Sequence, residues 1–109
     1  MATSSSPAKT DVHVTVTYSD WNAAANVAEA SAIVDGVVES AATCTLTLTQ
    51  GAVVRTIAHR ATPSASSTQC GRMAIPGAQL HAGDWSATVR YESAKTYGSS
   101  ARFTIRVIK

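Results

Sequence analysis

The sequence has no long apolar segment. No uninterrupted apolar run reaches about 18 residues, so the pattern excludes a membrane-spanning helix. The opening MATSSSPAKT also lacks the charged start and apolar stretch of a secretory signal peptide. We therefore expect residues 1–9 to be a flexible lead-in to one domain, residues 10–109. If the protein is exported, we expect a targeting or anchoring segment to precede residue 1.

Charge of either sign is also sparse. The chain has 9 Lys and Arg against 7 Asp and Glu, which gives a formal net charge of +2. Nucleic-acid-binding domains usually carry a dense basic stripe, whereas the arginines here are scattered through segments with a strand pattern. We therefore expect no nucleic-acid partner.

Residues that carry metal, redox or catalytic chemistry form no recognisable pattern. There is no CxxC around Cys44 or Cys70, no G-x-S-x-G, and the three histidines lie on separate segments. Asp20, Asn22 and Asn26 offer one carboxylate and two amides, whereas calcium takes about six to eight oxygens. We expect no metal, no cofactor and no enzymatic activity.

Two cysteines in a small strand-rich chain fit a disulfide, although two thiols can equally stay reduced. A bridge from Cys44 to Cys70 would close a loop of about 27 residues and contribute about 3–4 kcal/mol on the chain-entropy estimate. Such a bridge would indicate an oxidising, extracellular compartment.

Threonine, serine and valine are abundant instead. Thr and Ser together occupy 27 positions, and this composition favours strands and turns over helices. Apolar and polar residues alternate in about seven segments with turn residues between them, which predicts an all-β fold, an antiparallel two-sheet sandwich. The segments are 12–18, 23–38, 43–50, 52–60, 69–77, 85–92 and 101–109.

The first two segments differ in how clearly they read as strands. In the first, Val12, Val14, Val16 and Tyr18 share one face, and the turn formers SDWN end the strand. The second, 23–38, is rich in alanine and would suit a helix. Its β-branched residues and its alternation favour a strand, which we predict to be bulged at its Asp-Gly pair.

The segment IPGAQLHAGDWSATVRYES resembles the crossing between sheets in immunoglobulin-like and fibronectin type III-like modules. There a Leu, a Gly two or three residues later and an aromatic residue open the penultimate strand, as Leu80, Gly83 and Trp85 do here. With TCTLTLTQ and STQCGRMAIPG, the pattern also resembles extracellular β-sandwich domains of surface proteins from actinobacteria and related Gram-positive lineages. The resemblance implies an immunoglobulin-like sandwich that serves as a spacer, an adhesive tip or a binding domain.

One departure from the immunoglobulin pattern concerns the cysteines. Immunoglobulin domains bridge their two sheets with a Cys pair and pack a Trp against it. Here no Trp lies between Cys44 and Cys70 in the sequence, and Cys70 precedes a short strand. We therefore expect the bridge to pin an edge or a loop.

The stretch TYSDWNAAAN contains the candidate ligand-contact residues. Trp21 could offer an exposed ring for stacking, with Asp20, Asn22 and Asn26 binding hydroxyl groups. Alternatively, Trp21 caps one end of the sandwich, with its indole N–H on a backbone carbonyl. Because only six residues are aromatic, we favour the cap.

These observations predict a non-catalytic extracellular module of a bacterial cell-surface or secreted protein, acting as a spacer or interaction domain. A protein or a surface glycan is the expected partner, with membrane association only through a segment outside this sequence. Two alternatives stay open. One is a carbohydrate-binding module that uses the Trp21 loop, and the other is a subunit that assembles by pairing its exposed first or last strand.

Overall fold

The computed structural model describes residues 10–109, which form ten strands and one short 3₁₀ helix, Gly77–Gln79. The predicted lead-in, residues 1–9, lies outside the described residues. The strands are β1 Thr10–Asp11, β2 Thr15–Asn22, β3 Val27–Asp35, β4 Thr43–Gln50, β5 Val53–Arg60, β6 Thr62–Pro63, β7 Ser67–Pro76, β8 Gly83–Glu92, β9 Thr96–Ser99 and β10 Phe103–Val107.

The strands form two facing sheets. One runs in the order β1-β9-β8-β4-β5, with β10 paired to the other half of β8, and the second runs β2-β3-β7-β6. Neighbouring strands are antiparallel except β1 and β9, which are parallel. The predicted all-β two-sheet sandwich is confirmed, and the strand order is compatible with an immunoglobulin-like fold.

The predicted number of about seven strands is too low, because three short strands, β1, β6 and β9, lie outside the predicted segments. The last predicted strand, 101–109, contains β10, and β9 and β10 pair with successive parts of β8. Residues 93–100, predicted as a turn, contain β9, and residues 61–68, predicted as a loop, contain β6 and the start of β7. β1 is the remaining addition.

The alanine-rich segment is a strand, as predicted. β3 buries its alternate residues from Ala28 to Val34 and ends at Asp35, where Gly36 adopts φ 78°. The expected bulge at this Asp-Gly pair does not occur. The irregularity lies in the neighbouring strand β7, where the register with β3 shifts by one residue at Cys70.

The core lies between the inner faces of the two sheets. Trp85, Val89 and Tyr91 on β8 and Leu46 and Leu48 on β4 are all 0% exposed, as their alternation predicts. The Trp85 indole N–H donates to the His81 carbonyl oxygen at 2.9 Å, so its one polar group is satisfied inside the core.

A disulfide joins Cys44 on β4 to Cys70 on β7 with a Cα–Cα distance of 5.6 Å. The predicted pairing is confirmed, but its expected location at an edge or loop is wrong. Both strands are flanked on each side by other strands, and both cysteines are 0% exposed. The bridge therefore links the interiors of the two sheets, and such bonds are typical of proteins in oxidising compartments.

A network of side-chain hydrogen bonds around Glu39 connects the β3–β4 loop to the turn between β8 and β9. The Tyr91 hydroxyl and Thr96 Oγ1 donate to Glu39 Oε1, the latter at 2.6 Å, and Ser93 Oγ donates to Oε2 at 2.9 Å. Burial raises the pKa of the Glu39 carboxyl, but these three hydrogen bonds outweigh it and the pKa lies below its ordinary value. The carboxylate stays ionised at this junction.

The only helix among the described residues is the 3₁₀ turn of three residues, and none of them forms a helix long and apolar enough to cross a bilayer.

Reduction of the Cys44–Cys70 bond should lower the free energy of unfolding by about 3 kcal/mol, because the unfolded chain regains the entropy that the closed loop removes. The measurement is urea unfolding of the same protein with and without reductant. The double variant Cys44→Ala/Cys70→Ala is the control and should show no response to reductant. Equal stability of the oxidised and reduced wild-type protein would contradict the expected contribution of the bridge.

Candidate functional site

A β-bulge at Thr17 decides which side chains of β2 face solvent. Val16 pairs with Ala32 and Tyr18 pairs with Ser31, so Thr17 has no partner across the strand pair. Because one extra residue reverses the alternation beyond it, Tyr18 leaves the face that Val14 and Val16 share. Val14 is 2% exposed, whereas Tyr18 is 47% exposed, and the expectation that they share a face is wrong.

The same reversal turns Trp21 inward. Its ring is partly buried against the core and lies so close to Gly77 that a Cβ there would come within 2.7 Å of the Trp21 Cη2 atom. The packing agrees with the cap interpretation. The indole N–H, however, is buried and has no hydrogen-bond partner among the described residues, instead of meeting a carbonyl.

The segment SDWN, predicted as a turn, is the last part of β2, and the turn follows at residues 23–26. Asn22 and Asn26 build that turn. The Asn22 Oδ1 accepts a hydrogen bond from the Ala25 N–H at 3.1 Å, and Asn26 adopts φ 57° while its carbonyl accepts from the Gly77 N–H at 2.7 Å. Asparagine tolerates this left-handed conformation better than most residues.

The four predicted contact residues lie at the end of β2 and in the turn that follows, and the side chains of Trp21 and Asn26 both lie beside Gly77. Asp20 lies on the solvent side of β2, where its Oδ1 accepts from the Trp21 N–H at 2.8 Å. Trp21 faces the core, and Asn26 lies at the turn beside Gly77.

A different cluster occupies the outer face of the four-stranded sheet, centred on Glu29 of β3. Arg72 on β7 donates from Nε to Glu29 Oε2 at 2.8 Å, and its Nη2 forms an ion pair with the same oxygen at 2.5 Å. The Tyr18 hydroxyl donates to Oε1 at 3.2 Å. Asp20 lies directly opposite Glu29 in the strand register. We call these four residues the Glu29 cluster.

Within the Glu29 cluster, the Arg72 guanidinium favours the ionised form of Glu29. The hydrogen bond from Arg72 lowers the pKa of the Glu29 carboxyl, opposed by burial and assisted by the Arg72 charge. Burial raises the pKa of the Tyr18 phenol, and the hydrogen bond to Glu29 raises it further. An ionised carboxylate thus holds a neutral, half-exposed phenol ring in place on the sheet.

Chemically, this surface offers an exposed aromatic ring beside a carboxylate, a guanidinium group and the Asp20 side chain. Such a combination suits contact with a polar or amphipathic partner. A shallow depression continues along the same face, lined by Thr17, Ser31, Ala32, Ile33, Gln69, Gly71 and Arg72.

Sequence reasoning missed Tyr18, Glu29 and Arg72 as site residues. The alternation places Tyr18 on the core-facing side, because nothing in VHVTVTY marks the bulge at Thr17. The alternation in the sequence gives one indication that Glu29 lies on the outer face of the sheet, because it places Glu29 on the face of β3 opposite the buried alanines. Its meeting with Arg72 depends on the β3–β7 register, in which Arg72 pairs with Ser31.

The remaining candidate ligands stay apart. No group of three or more His, Cys, Asp or Glu residues within 10–109 is arranged to hold a metal ion. His59 is engaged elsewhere, with its Nδ1 at 2.8 Å from the carbonyl oxygen of Cys70.

Comparisons of the chain with protein-family models, with curated proteins and with solved structures find no match to it.

Replacing Glu29 with glutamine should reduce the loss of stability in acid. The pKa of Glu29 is lowered on folding, so its contribution to stability is present above its unfolded-state pKa, near the ordinary value of 4.5, and is lost as pH falls through the folded-state pKa. The measurement is urea unfolding from pH 7 to about pH 3. Asp35→Asn, at the exposed end of the same strand, is the control. An unchanged pH profile in Glu29→Gln would show that the Arg72 pair contributes nothing to folding.

Acrylamide should quench the fluorescence of the Trp21→Phe variant weakly, because its single remaining indole, Trp85, is fully buried. Wild-type protein should show somewhat more quenching, since Trp21 is partly exposed. A strongly quenched population in the wild type, absent from Trp21→Phe, would place Trp21 in solvent and contradict its packing against the core.

Proposed function

We propose that this chain is a non-catalytic extracellular module of a bacterial cell-surface or secreted protein, acting as an interaction domain or spacer. It would belong with the immunoglobulin-like and fibronectin type III-like modules of actinobacterial surface proteins that its sequence resembles. The observation that carries the interaction role is the Glu29 cluster, in which a bulge presents Tyr18 to solvent on a rigid sheet.

The disulfide supports an extracellular location. Cys44 and Cys70 lie on inner strands of the two sheets and are fully buried, so the bond is part of the folded core. Disulfides of this kind form and persist in oxidising environments and are rare in the cytosol.

Preorganisation of Tyr18 supports a binding role. Its hydroxyl is held by Glu29, which is itself fixed by a hydrogen bond and an ion pair with Arg72. A ring that is already ordered loses little conformational entropy when a partner covers it. We expect the partner to be a protein or a surface glycan.

The states of the carboxylates support a non-catalytic role. Glu29 and Glu39 both have their pKa lowered by hydrogen bonds, Glu29 by Arg72 and Glu39 by three hydroxyls. General acid–base catalysis near neutral pH is favoured by carboxyl groups whose pKa is raised. Both groups instead act as fixed acceptors that join strands and turns.

For the alternative of a carbohydrate-binding module, we favour Tyr18 over Trp21 as the residue that contacts the sugar. Trp21 packs against the core and Gly77, so its ring has little free face for a sugar. If a glycan binds, Tyr18 is the residue to stack on it, with Asp20 and Arg72 placed to contact hydroxyl groups.

The test is binding to a glycan array by wild-type protein and by two tyrosine variants. Tyr18→Ala should weaken binding by about tenfold, since an aromatic contact contributes roughly 0.5–1.5 kcal/mol beyond the area it buries. Tyr97→Ala is the matched control, because Tyr97 is 43% exposed but lies on β9 in the other sheet. Equal loss in both variants would contradict a site at the Glu29 cluster. No binding by the wild type would exclude the glycans tested and favour the spacer role.

A further inference from the structure

Among residues 10–109, no strand pairs with the outer side of β5, which leaves one long edge of the six-stranded sheet open. Strand β5 has eight residues, contains no proline, and pairs in an unbroken register with β4 on one side. A two-residue turn joins it to β4, with Gly51 at φ 59°, as expected of a type II′ hairpin.

The register shows which backbone groups of β5 point away from β4. The Ala61 N–H donates to the Ala42 carbonyl at 2.9 Å on the same register as the β4–β5 pairs. Alternation along an antiparallel pair then directs the N–H and C=O groups of Val54, Thr56 and Ala58 outward. All three residues are exposed.

Side chains beside this edge are tied back to their own chain. Arg55 donates from Nε to the Gln79 carbonyl at 3.0 Å and from Nη1 to the Val54 carbonyl at 3.1 Å. His59 contacts the Cys70 carbonyl at 2.8 Å. The Val54 carbonyl keeps a second lone pair for another donor.

We propose that β5 pairs antiparallel with β5 of a second copy of this chain, about a two-fold axis at Thr56. Thr56 would exchange backbone hydrogen bonds with Thr56 of the second copy, and Val54 with Ala58. This register sets Arg55 opposite Ile57 and His59 opposite Val53, so no like charges face each other. The two six-stranded sheets become one continuous sheet.

The other edges are poorer candidates. β2 carries the Thr17 bulge, β6 has two residues and ends in Pro63, and β10 has five residues. Bulges, prolines and short length are the usual protections of an edge strand. Of the β5 residues whose backbone groups point outward, Val54, Thr56 and Ala58 bear no charge, and the charged Arg60 lies at the end of the strand. The interface is independent of the Glu29 cluster, which lies on the other sheet.

The first experiment is sedimentation equilibrium over a concentration series. With increasing concentration, the apparent molecular mass of the wild-type protein should rise from the 11.3 kDa of one chain toward twice that mass. Thr56→Pro should stay monomeric, because proline removes the outward N–H and cannot join a ladder. Thr104→Pro is the matched control. It changes the same residue type on β10, the opposite edge of the same sheet, and should dimerise as the wild type does.

A second pair of variants guards against misfolding by proline. Thr56→Lys and Thr56→Glu each place like charges across the two-fold axis and should weaken dimerisation by about fivefold. An equimolar mixture should recover wild-type affinity through a mixed dimer, and thermal unfolding checks that each variant is folded. A wild type that stays monomeric up to about 1 mM, where even a weak association is detected, would overturn the proposal. An equal loss of dimerisation in Thr104→Pro would also overturn it. A mixture of Thr56→Lys and Thr56→Glu that dimerises no more tightly than either variant alone would do the same.

Discussion

In a β-strand, successive side chains must point to opposite sides of the sheet, and this sandwich depends on where that alternation is kept and where it shifts. β4 and β8 keep it without interruption, so Leu46 and Trp85 lie in the core and threonines cover the outer face of the six-stranded sheet. In the four-stranded sheet, β2 and β7 each shift by one residue. Those two bulges set the positions on which the disulfide and the candidate site depend.

The bulge in β7 brings Cys70 into the core. Met73 and Ile75 face inward after it, whereas Thr68 and Cys70 face inward before it, so the inward parity reverses across the bulge. Gly71 takes φ 74° at this point, a conformation that side-chain-bearing residues rarely adopt. With Cys70 turned inward, its sulfur can bond to that of Cys44 on β4, and inner strands of the two sheets are covalently joined.

The bulge in β2 has the complementary effect on the surface. It places the Tyr18 ring in solvent instead of on the core side, and it turns the Trp21 ring toward the core. The outer ring then lies beside an ion pair between β3 and β7, which connects three strands across the face. At the end of the sandwich, Glu39 likewise accepts hydrogen bonds from the hydroxyl groups of Ser93 and Thr96 at the β8–β9 turn. Both carboxylates connect neighbouring elements of the sandwich through side-chain hydrogen bonds.

The sequence alone determined the strand character of the chain and its two-sheet class, and it allowed one disulfide pair, because these follow from local alternation, turn residues and the count of cysteines. It could not show the bulges, since an extra residue such as Thr17 changes no local propensity and is detected only when the partner strand fixes the register. Only the tertiary structure therefore decided that Tyr18 faces solvent, that Trp21 faces the core and that the bridge crosses the sandwich. Contacts between distant residues, such as Glu29 with Arg72, follow from register and carry no signal in either segment by itself.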